Sequence, residues 1–280
     1  MINRKVKVIL LAVVMALCLG AAGCRGGDGG ERIIVAGSTS VQPYAELLEE
    51  AFEEKKAEET GASIKIDIQG GGSAAGITSV ENGAADIGMS SRELKDAEKV
   101  QMKYIVEIAK DGLAVIVHPS NPVANLTLEQ IQKIYTKEIT NWGEIGGNDA
   151  SIHVITREEG SGTRSAFEEL AMSKDHEISP KCIVQSSNGT VRLLVSDDPN
   201  SIGFISLGLI EAHEGQKAVK AVKLESIDAT AENVKNGTYK LSRPFLFVSK
   251  ENPTGQAKDF IDFIFSEHGK ELLTKEGLII

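Results

Sequence analysis

The chain has 280 residues, 41% of them hydrophobic and 5% aromatic, with a formal net charge of −10 at pH 7. That is the composition of an ordinary soluble α/β protein, long enough for one large domain or two small ones. Its acidic surface repels nucleic acid and offers it no basic patch. A small anion in a closed cleft is still permitted, because exposed charge is screened within about 8 Å.

At the N-terminus, Arg4, Lys5 and Lys7 precede an apolar run from Val8 to Leu19, twelve residues long. A bilayer span needs roughly 20, so residues 1–23 read as a secretory signal peptide. Ala21, Ala22 and Gly23 lead into Cys24, a run that resembles the bacterial lipobox, whose cysteine takes the lipid (palmitate) and begins the mature chain. Ala21 stands where leucine is commoner, and the alternative is plain secretory cleavage near a cysteine. Residues 24–31, rich in glycine, read as a flexible leash. Removing the signal changes the formal charge from −10 to −13. It also leaves Cys182 alone once Cys24 is lipidated, so no disulfide framework is possible.

Beyond the leash, short strands alternate with amphipathic helices. Arg32 to Ala36 reads as a strand, and Val41 to Glu59 as a helix with Tyr44, Leu47, Leu48 and Phe52 on one face. Ile64, Ile66 and Ile68 alternate with polar residues as in a strand. A helix from Ala74 to Glu81 and a strand near Asp86 to Gly88 follow. Gly112 to His118 is a continuous apolar strand, and Thr127 with Gln130 forms a capping box for a helix ending at Tyr135. Further strands are read at Ile152–Ile155, Cys182–Gln185, Ile202–Ile205 and Pro244–Ser249, with a last helix over Phe260–Leu273. This repeated βα order predicts a mostly parallel sheet.

Three strand-to-helix turns share one chemistry: Gly37-Ser-Thr-Ser40, Gly70-Gly-Gly-Ser-Ala-Ala-Gly76 and Gly160-Ser-Gly-Thr-Arg164. Each places small residues and hydroxyls where a helix begins, and a helix N-terminus exposes N–H groups carrying about half a positive charge. Glycine permits close backbone approach and Ser or Thr adds a rotatable donor. Any one such turn is also explained by helix capping alone. Arg157, just upstream of the third, offers a planar fork of donors suited to an oxyanion, or else a surface ion pair with Glu158 or Glu159.

Enzyme signatures are absent from the sequence. The segment Gly71 to Gly76 has P-loop outer spacing, but Ile77 stands where the lysine is needed. No Gly-x-Ser-x-Gly elbow surrounds Ser38, Ser73 or Ser161. His118, His153, His176, His213 and His268 are scattered, with no metal-binding pair, so neither a metal nor a cofactor is expected.

The runs Ala36-Gly-Ser-Thr-Ser-Val-Gln-Pro43, Gln69-Gly-Gly-Gly-Ser73, Asp86-Ile-Gly-Met-Ser-Ser-Arg92 and Thr156 to Thr163 occur in this order. With Ile139-Thr-Asn-Trp142 and Ser242-Arg-Pro-Phe245, they resemble the phosphate-binding proteins of high-affinity phosphate ABC transporters. The resemblance runs from about Arg32 to the C-terminus. It implies a two-domain type II periplasmic-binding-protein fold with the ligand in the interdomain cleft. Domain I would comprise 32–114 plus 246–280 and domain II 115–245, joined by crossovers at Leu113–His118 and Pro244–Ser249.

Carried over position by position, the resemblance places phosphate contacts at Ser38, Thr39, Ser40, Ser73, Arg157, Ser161, Gly162 and Thr163. The implied protein is a monomeric, non-enzymatic receptor, tethered by its lipid to the extracytoplasmic face of the membrane. It would serve an ABC permease and ATPase. Many relatives carry an aspartate where this sequence has Ser91, followed by Arg92. Serine accepts a hydrogen bond without the charge that repels sulfate, and Arg92 either contacts phosphate or pairs with a nearby carboxylate. The competing readings are a receptor for sulfate, molybdate or tungstate, a phosphoryl-handling hydrolase, and a sensor or adhesin.

Overall fold

The computed structural model describes residues 32–61, 64–172, 176–211 and 217–280. The signal peptide, Cys24, the leash and His213 lie outside them. Strand β1 (Arg32–Gly37) leads into helix α1 (Gln42–Thr60), and β2 (Lys65–Gly70) into α2 (Ser73–Glu81). Strand β3 (Ile87–Ser90), the short α3 (Asp96–Lys99) and the long β4 (Tyr104–Val117) follow. After β5 (Asn125–Leu126) and α4 (Leu128–Tyr135), the βα pattern resumes with β6 (His153–Arg157), α5 (Gly162–Leu170), β7 (Ile183–Gln185), α6 (Asn188–Asp197) and β8 (Ser201–Ser206). Short strands β9 (Lys220–Ala221) and β10 (Lys223–Leu224) and helix α7 (Ala231–Lys235) precede β11 (Ser242–Ser249), α8 (Gly255–Ile264) and α9 (Glu267–Lys275).

Helix α1 shows how the sequence sets these boundaries. Pro43 sits in its first turn, where a missing N–H costs nothing, and Tyr44, Ala45, Leu48 and Phe52 are its buried face. Leu47 lies at the margin of that face, half-buried. Gly61 ends the helix in the left-handed region (φ 67°) and donates its N–H to the Ala57 carbonyl. Burial of each large apolar side chain stabilises the fold by about 1.5–3 kcal/mol. At α4 the predicted capping box forms: Gln130 N–H donates to Thr127 Oγ1 (3.1 Å), and Thr127 N–H donates to Gln130 Oε1 (2.9 Å).

The sheet differs from the mostly parallel one that the βα order predicts. Its strands run β2-β1-β3-β11-β4-β8-β6-β7. The outer pairs β1–β2, β1–β3, β6–β7 and β6–β8 are parallel, while β3–β11, β11–β4 and β4–β8 are antiparallel. The difference arises in β4 and β11, two strands that run antiparallel to their neighbours. Strand β4 pairs with β11 as far as Gly112, then with β8 from Leu113 onward. The predicted final helix is also two helices, because Ser266 accepts from the Gly269 N–H and starts α9 afresh.

The apolar cores divide on either side of that change of partner. One cluster joins β1, α1 and β2 to Phe245, Phe247 and the α8–α9 pair; another joins Leu113, Val115 and Val117 to α4, α5 and Phe204. The protein is thus a mixed α/β, two-lobed molecule. Among the described residues no helix is long and apolar enough to cross a membrane.

Candidate functional site

Four helix N-termini point at one buried place. The β1 turn delivers Ser38, Thr39 and Ser40 ahead of α1, and the β2 turn delivers Ser73 at the first residue of α2. From the other lobe come Ser161, Gly162 and Thr163 at the start of α5, and Asn188 at the start of α6. Ser38, Ser40, Ser73, Ser91, Ser161, Thr163, Arg157 and Asn188 all expose 2% of their surface or less. Converging helix ends give a concentration of partial positive charge suited to an anion.

Hydrogen bonds knit the cluster. Ser38 Oγ donates to Ser91 Oγ at 2.8 Å, Ser91 N–H donates to Ser73 Oγ at 3.1 Å, and Ser73 Oγ lies 3.4 Å from Ser91 Oγ. Across the lobes, Ser40 Oγ lies 2.7 Å from Thr163 Oγ1, and Ala74 N–H donates to the Gly160 carbonyl at 3.1 Å. Gly162 fits only because it has no side chain: a Cβ there would lie 2.0 Å from Ser73 Oγ and 2.7 Å from Ser91 Oγ. Ser161 Oγ accepts from the Arg164 N–H at 3.2 Å, so this hydroxyl also caps α5.

Arg157 forms an ion pair, but a buried one. Its Nε and Nη2 pair with both oxygens of Glu158 (2.8 and 2.9 Å), yet the arginine is 1% exposed, so this is no surface bridge. Nη2 also donates to Thr39 Oγ1 at 3.2 Å, across the lobes. Its Nη1 is buried without a hydrogen-bond partner among the described residues. A buried guanidinium with a donor to spare is costly unless something accepts from it.

Arg92, which the sequence left open between a phosphate contact and a carboxylate partner, is paired with a carboxylate. Its Nη1 and Nη2 each donate to Glu98 at 2.8 Å, and Nη1 also to the Glu93 carbonyl at 2.7 Å. Of the two roles open to it, this is the carboxylate pairing.

The sequence reading missed a second buried arginine. Arg243 on β11 and Asp111 on β4 form an ion pair at 2.9 Å, each side chain 1% exposed. Arg243 Nη2 donates to Ser40 Oγ at 3.0 Å, and Nη1 donates to the Ser91 carbonyl at 3.3 Å. Burial is the largest influence on both partners, raising the pKa of Asp111 and lowering that of Arg243. Asn188 was missed too, although Ser187-Asn-Gly-Thr190 is a fourth turn of the same type as the other three.

Each cleft arginine therefore carries its own carboxylate, Glu158 or Asp111. The donor set is thus charge-balanced, and an anion held here would rely on aimed dipoles. Among the described residues no group of His, Cys, Asp and Glu is arranged to hold a metal ion.

Two α/β lobes with hydroxyls, helix ends and two buried arginines between them make a site suited to a small ligand. A family model described as the PBP superfamily domain matches residues 25–268. The phosphate-binding protein PstS of Bacillus subtilis is 29% identical over 296 residues, covering 99% of this chain and 94% of its own. A structure from Clostridium perfringens, described as a phosphate ABC transporter substrate-binding protein with bound phosphate, is 47% identical with a TM-score of 0.82, over 89% of this chain and 99% of that one. An ABC-type phosphate transport receptor from Vibrio cholerae is 40% identical with a TM-score of 0.70, at the same coverage of 89% and 99%. The chain belongs to the PBP superfamily, among the substrate-binding proteins of phosphate ABC transporters. Membership in a family of transport receptors, rather than any missing motif, is what sets the hydrolase reading aside.

Proposed function

We propose that this protein binds inorganic phosphate outside the cytoplasm and delivers it to an ABC importer. The observation that carries the reading is the buried cross-lobe cluster of Ser38, Ser40, Ser73, Ser91 and Thr163 beside Arg157 Nη1, which has no partner among the described residues. Ser161 and Gly162 add the N-terminus of α5, and Thr39 bridges to Arg157. The likeness to receptors named for phosphate supports the choice of anion. Charge-assisted hydrogen bonds contribute roughly 1.5–3 kcal/mol each. Several of them, less ordering and desolvation, reach the about −8 kcal/mol of micromolar binding. No cofactor takes part in this reading.

The lobes are taken as 32–114 plus 246–280 and 115–245, and the apolar cores divide near these bounds, with Leu113 and Ala114 packing into the second lobe and Phe245 into the first. The ligand lies between them, and the partners are the importer's permease and ATPase. In this reading the protein acts as a monomer, held at the membrane by lipid on Cys24. Cys24→Ala should release it from membranes or leave it unprocessed. A processed, lipid-bearing alanine variant still fractionating with membranes would refute the anchor.

Calorimetric titration with phosphate, sulfate, molybdate and tungstate tests the ligand. Phosphate should bind at micromolar concentration or below, and Arg157→Ala should weaken it by about 2–5 kcal/mol. Tighter binding of another of these anions, or no phosphate heat at millimolar concentration, overturns the proposal.

A further inference from the structure

Ser40 has an unusual set of neighbours for a hydroxyl. A serine oxygen has two lone pairs and one hydrogen. Arg243 Nη2 approaches Ser40 Oγ at 3.0 Å and Asn188 Nδ2 at 2.9 Å. A guanidinium and an amide NH₂ can only donate. The orientation of the amide is itself fixed, because Asn188 Oδ1 accepts from the Ser206 N–H at 3.2 Å. Both lone pairs of Ser40 are therefore filled, and its hydrogen has to point onward, toward Thr163 Oγ1 at 2.7 Å. Thr163 accepts that hydrogen, so its own hydroxyl hydrogen is not used within the pair.

Resting on the anion-binding reading above, we propose that Asn188 and Arg243 are positioning residues that fix the direction of the Ser40–Thr163 hydroxyl pair, so that Thr163 donates to the bound anion. The positive charge of Arg243 is passed outward through two aligned O–H groups, an arrangement in which each hydrogen bond polarises the next. The device assembles from both lobes. Ser40 belongs to β1–α1, Arg243 and Asp111 to the long strands, and Asn188 and Thr163 to the helices of the other lobe. The ring closes through Asp111, whose Oδ1 accepts from Ser206 Oγ at 2.9 Å while its Oδ2 holds Arg243. Asn188 reaches Ser40 only when the lobes meet, so the donor polarity of the pair is set by closure. A site so arranged favours anions with bare oxygens at this corner and turns the protonated oxygen of hydrogen phosphate toward another hydroxyl.

A double-mutant cycle separates action through Ser40 from any other role. Inorganic phosphate is titrated calorimetrically into the full chain, Asn188→Ala, Ser40→Ala and the double variant. The expected result is about a tenfold loss for Asn188→Ala in the parent chain, the size of one net hydrogen bond. In the Ser40→Ala background the same change should cost less than about twofold. Equal losses in both backgrounds, or none in the parent, would overturn the proposal. Should Asn188→Ala fail to fold because the Ser206 N–H loses its partner, Asn188→Ser replaces it, being able to accept from Ser206 but too short to reach Ser40. If the parent prefers sulfate, the phosphate reading fails, yet the same cycle run with sulfate still decides the role of Asn188. A parent that binds no oxyanion overturns both.

Discussion

Asp111 and Arg243 face each other at 2.9 Å from adjacent antiparallel strands, β4 and β11, directly beneath the hydroxyl cluster. Asp111 stands one residue before β4 changes from Gly112, paired with β11, to Leu113, paired with β8. The pair thus sits where the two lobes join and holds atoms of Ser40, Ser91 and Ser206 at once.

Arg243→Ala should be costly, because it strands a buried carboxylate. The expected loss is about 3–5 kcal/mol in urea unfolding at pH 7. Replacing both members, as Asp111→Leu with Arg243→Met, should cost less than the single change. The pH dependence has a definite sign. Burial already raises the pKa of Asp111 in the folded state against the pull of Arg243. A raised folded pKa favours folding at low pH and disfavours it as pH rises. The deficit of Arg243→Ala should accordingly shrink as pH is lowered. A single variant as stable as the parent chain at pH 7 would rule out this role for the pair.

Arg92 and Glu98 give a second pH-linked test. Burial would raise the Glu98 carboxyl, but hydrogen bonds from Arg92 and the Lys95 N–H outweigh it and hold the pKa below its usual 4.5. A depressed folded pKa stabilises above the unfolded value, and that stability is lost as pH falls through the folded value. Glu98→Gln should therefore lower the unfolding midpoint at neutral pH, with the gap to the parent closing in acid. Phosphate affinity should stay within about threefold for both Glu98→Gln and Arg92→Ala if Arg92 only braces this corner. A tenfold loss confined to Arg92→Ala would place its guanidinium on the anion.

Much of this was legible in the sequence for a simple reason. Hydroxyls and glycines at a strand-to-helix turn announce a helix N-terminus locally, and the Ser40, Ser73 and Thr163 turns meet as their shared chemistry suggests. Arg243 and Asp111 could not be read in this way. They are 132 positions apart, and their pairing depends on two long strands lying side by side. The residues before Gly112 alternate between buried and exposed only in part, so the first half of β4 gave no clear strand period. Asn188 was within reach, since its turn repeats the composition of the other three.

Gly162 lies where the two lobes touch. A methyl group at this position would lie 2.0 Å from Ser73 Oγ and 2.9 Å from Ser73 Cβ, and serine is too short to swing aside. Gly162→Ala should fold normally, because the position is the first residue of α5 and alanine suits a helix. It should nevertheless hold the lobes apart. Small-angle scattering should show the parent chain contracting on phosphate addition and the variant remaining expanded, with phosphate bound at least about tenfold more weakly. A variant that contracts like the parent would show that Ser73 and α2 yield, and that the glycine is not what limits closure.

Ser91 is where a test of anion choice is best aimed. Its side chain is fully buried, Ser38 Oγ donates to its oxygen at 2.8 Å, and Ser73 Oγ lies 3.4 Å away. The bond from Ser38 fills one lone pair, and the 3.4 Å approach of Ser73 Oγ, in which either oxygen can donate, is long enough to yield to a ligand. Ser91 can therefore accept the proton of hydrogen phosphate, or rotate and donate to fully ionised sulfate. A carboxylate in its place could still accept from Ser38 but could not donate, and it would add a charge that repels sulfate. Ser91→Asp should accordingly weaken sulfate binding further while leaving phosphate within about tenfold, or 1.4 kcal/mol. The added atom has to fit beside Ser73 and Gly162, so the thermal midpoint of the variant is read alongside the titrations. If competition shows the phosphate-to-sulfate ratio unchanged in a folded variant, Ser91 does not present its lone pair to the anion. Discrimination would then have to come from Glu158, the carboxylate that already holds Arg157 at 2.8 Å and borders the same cleft.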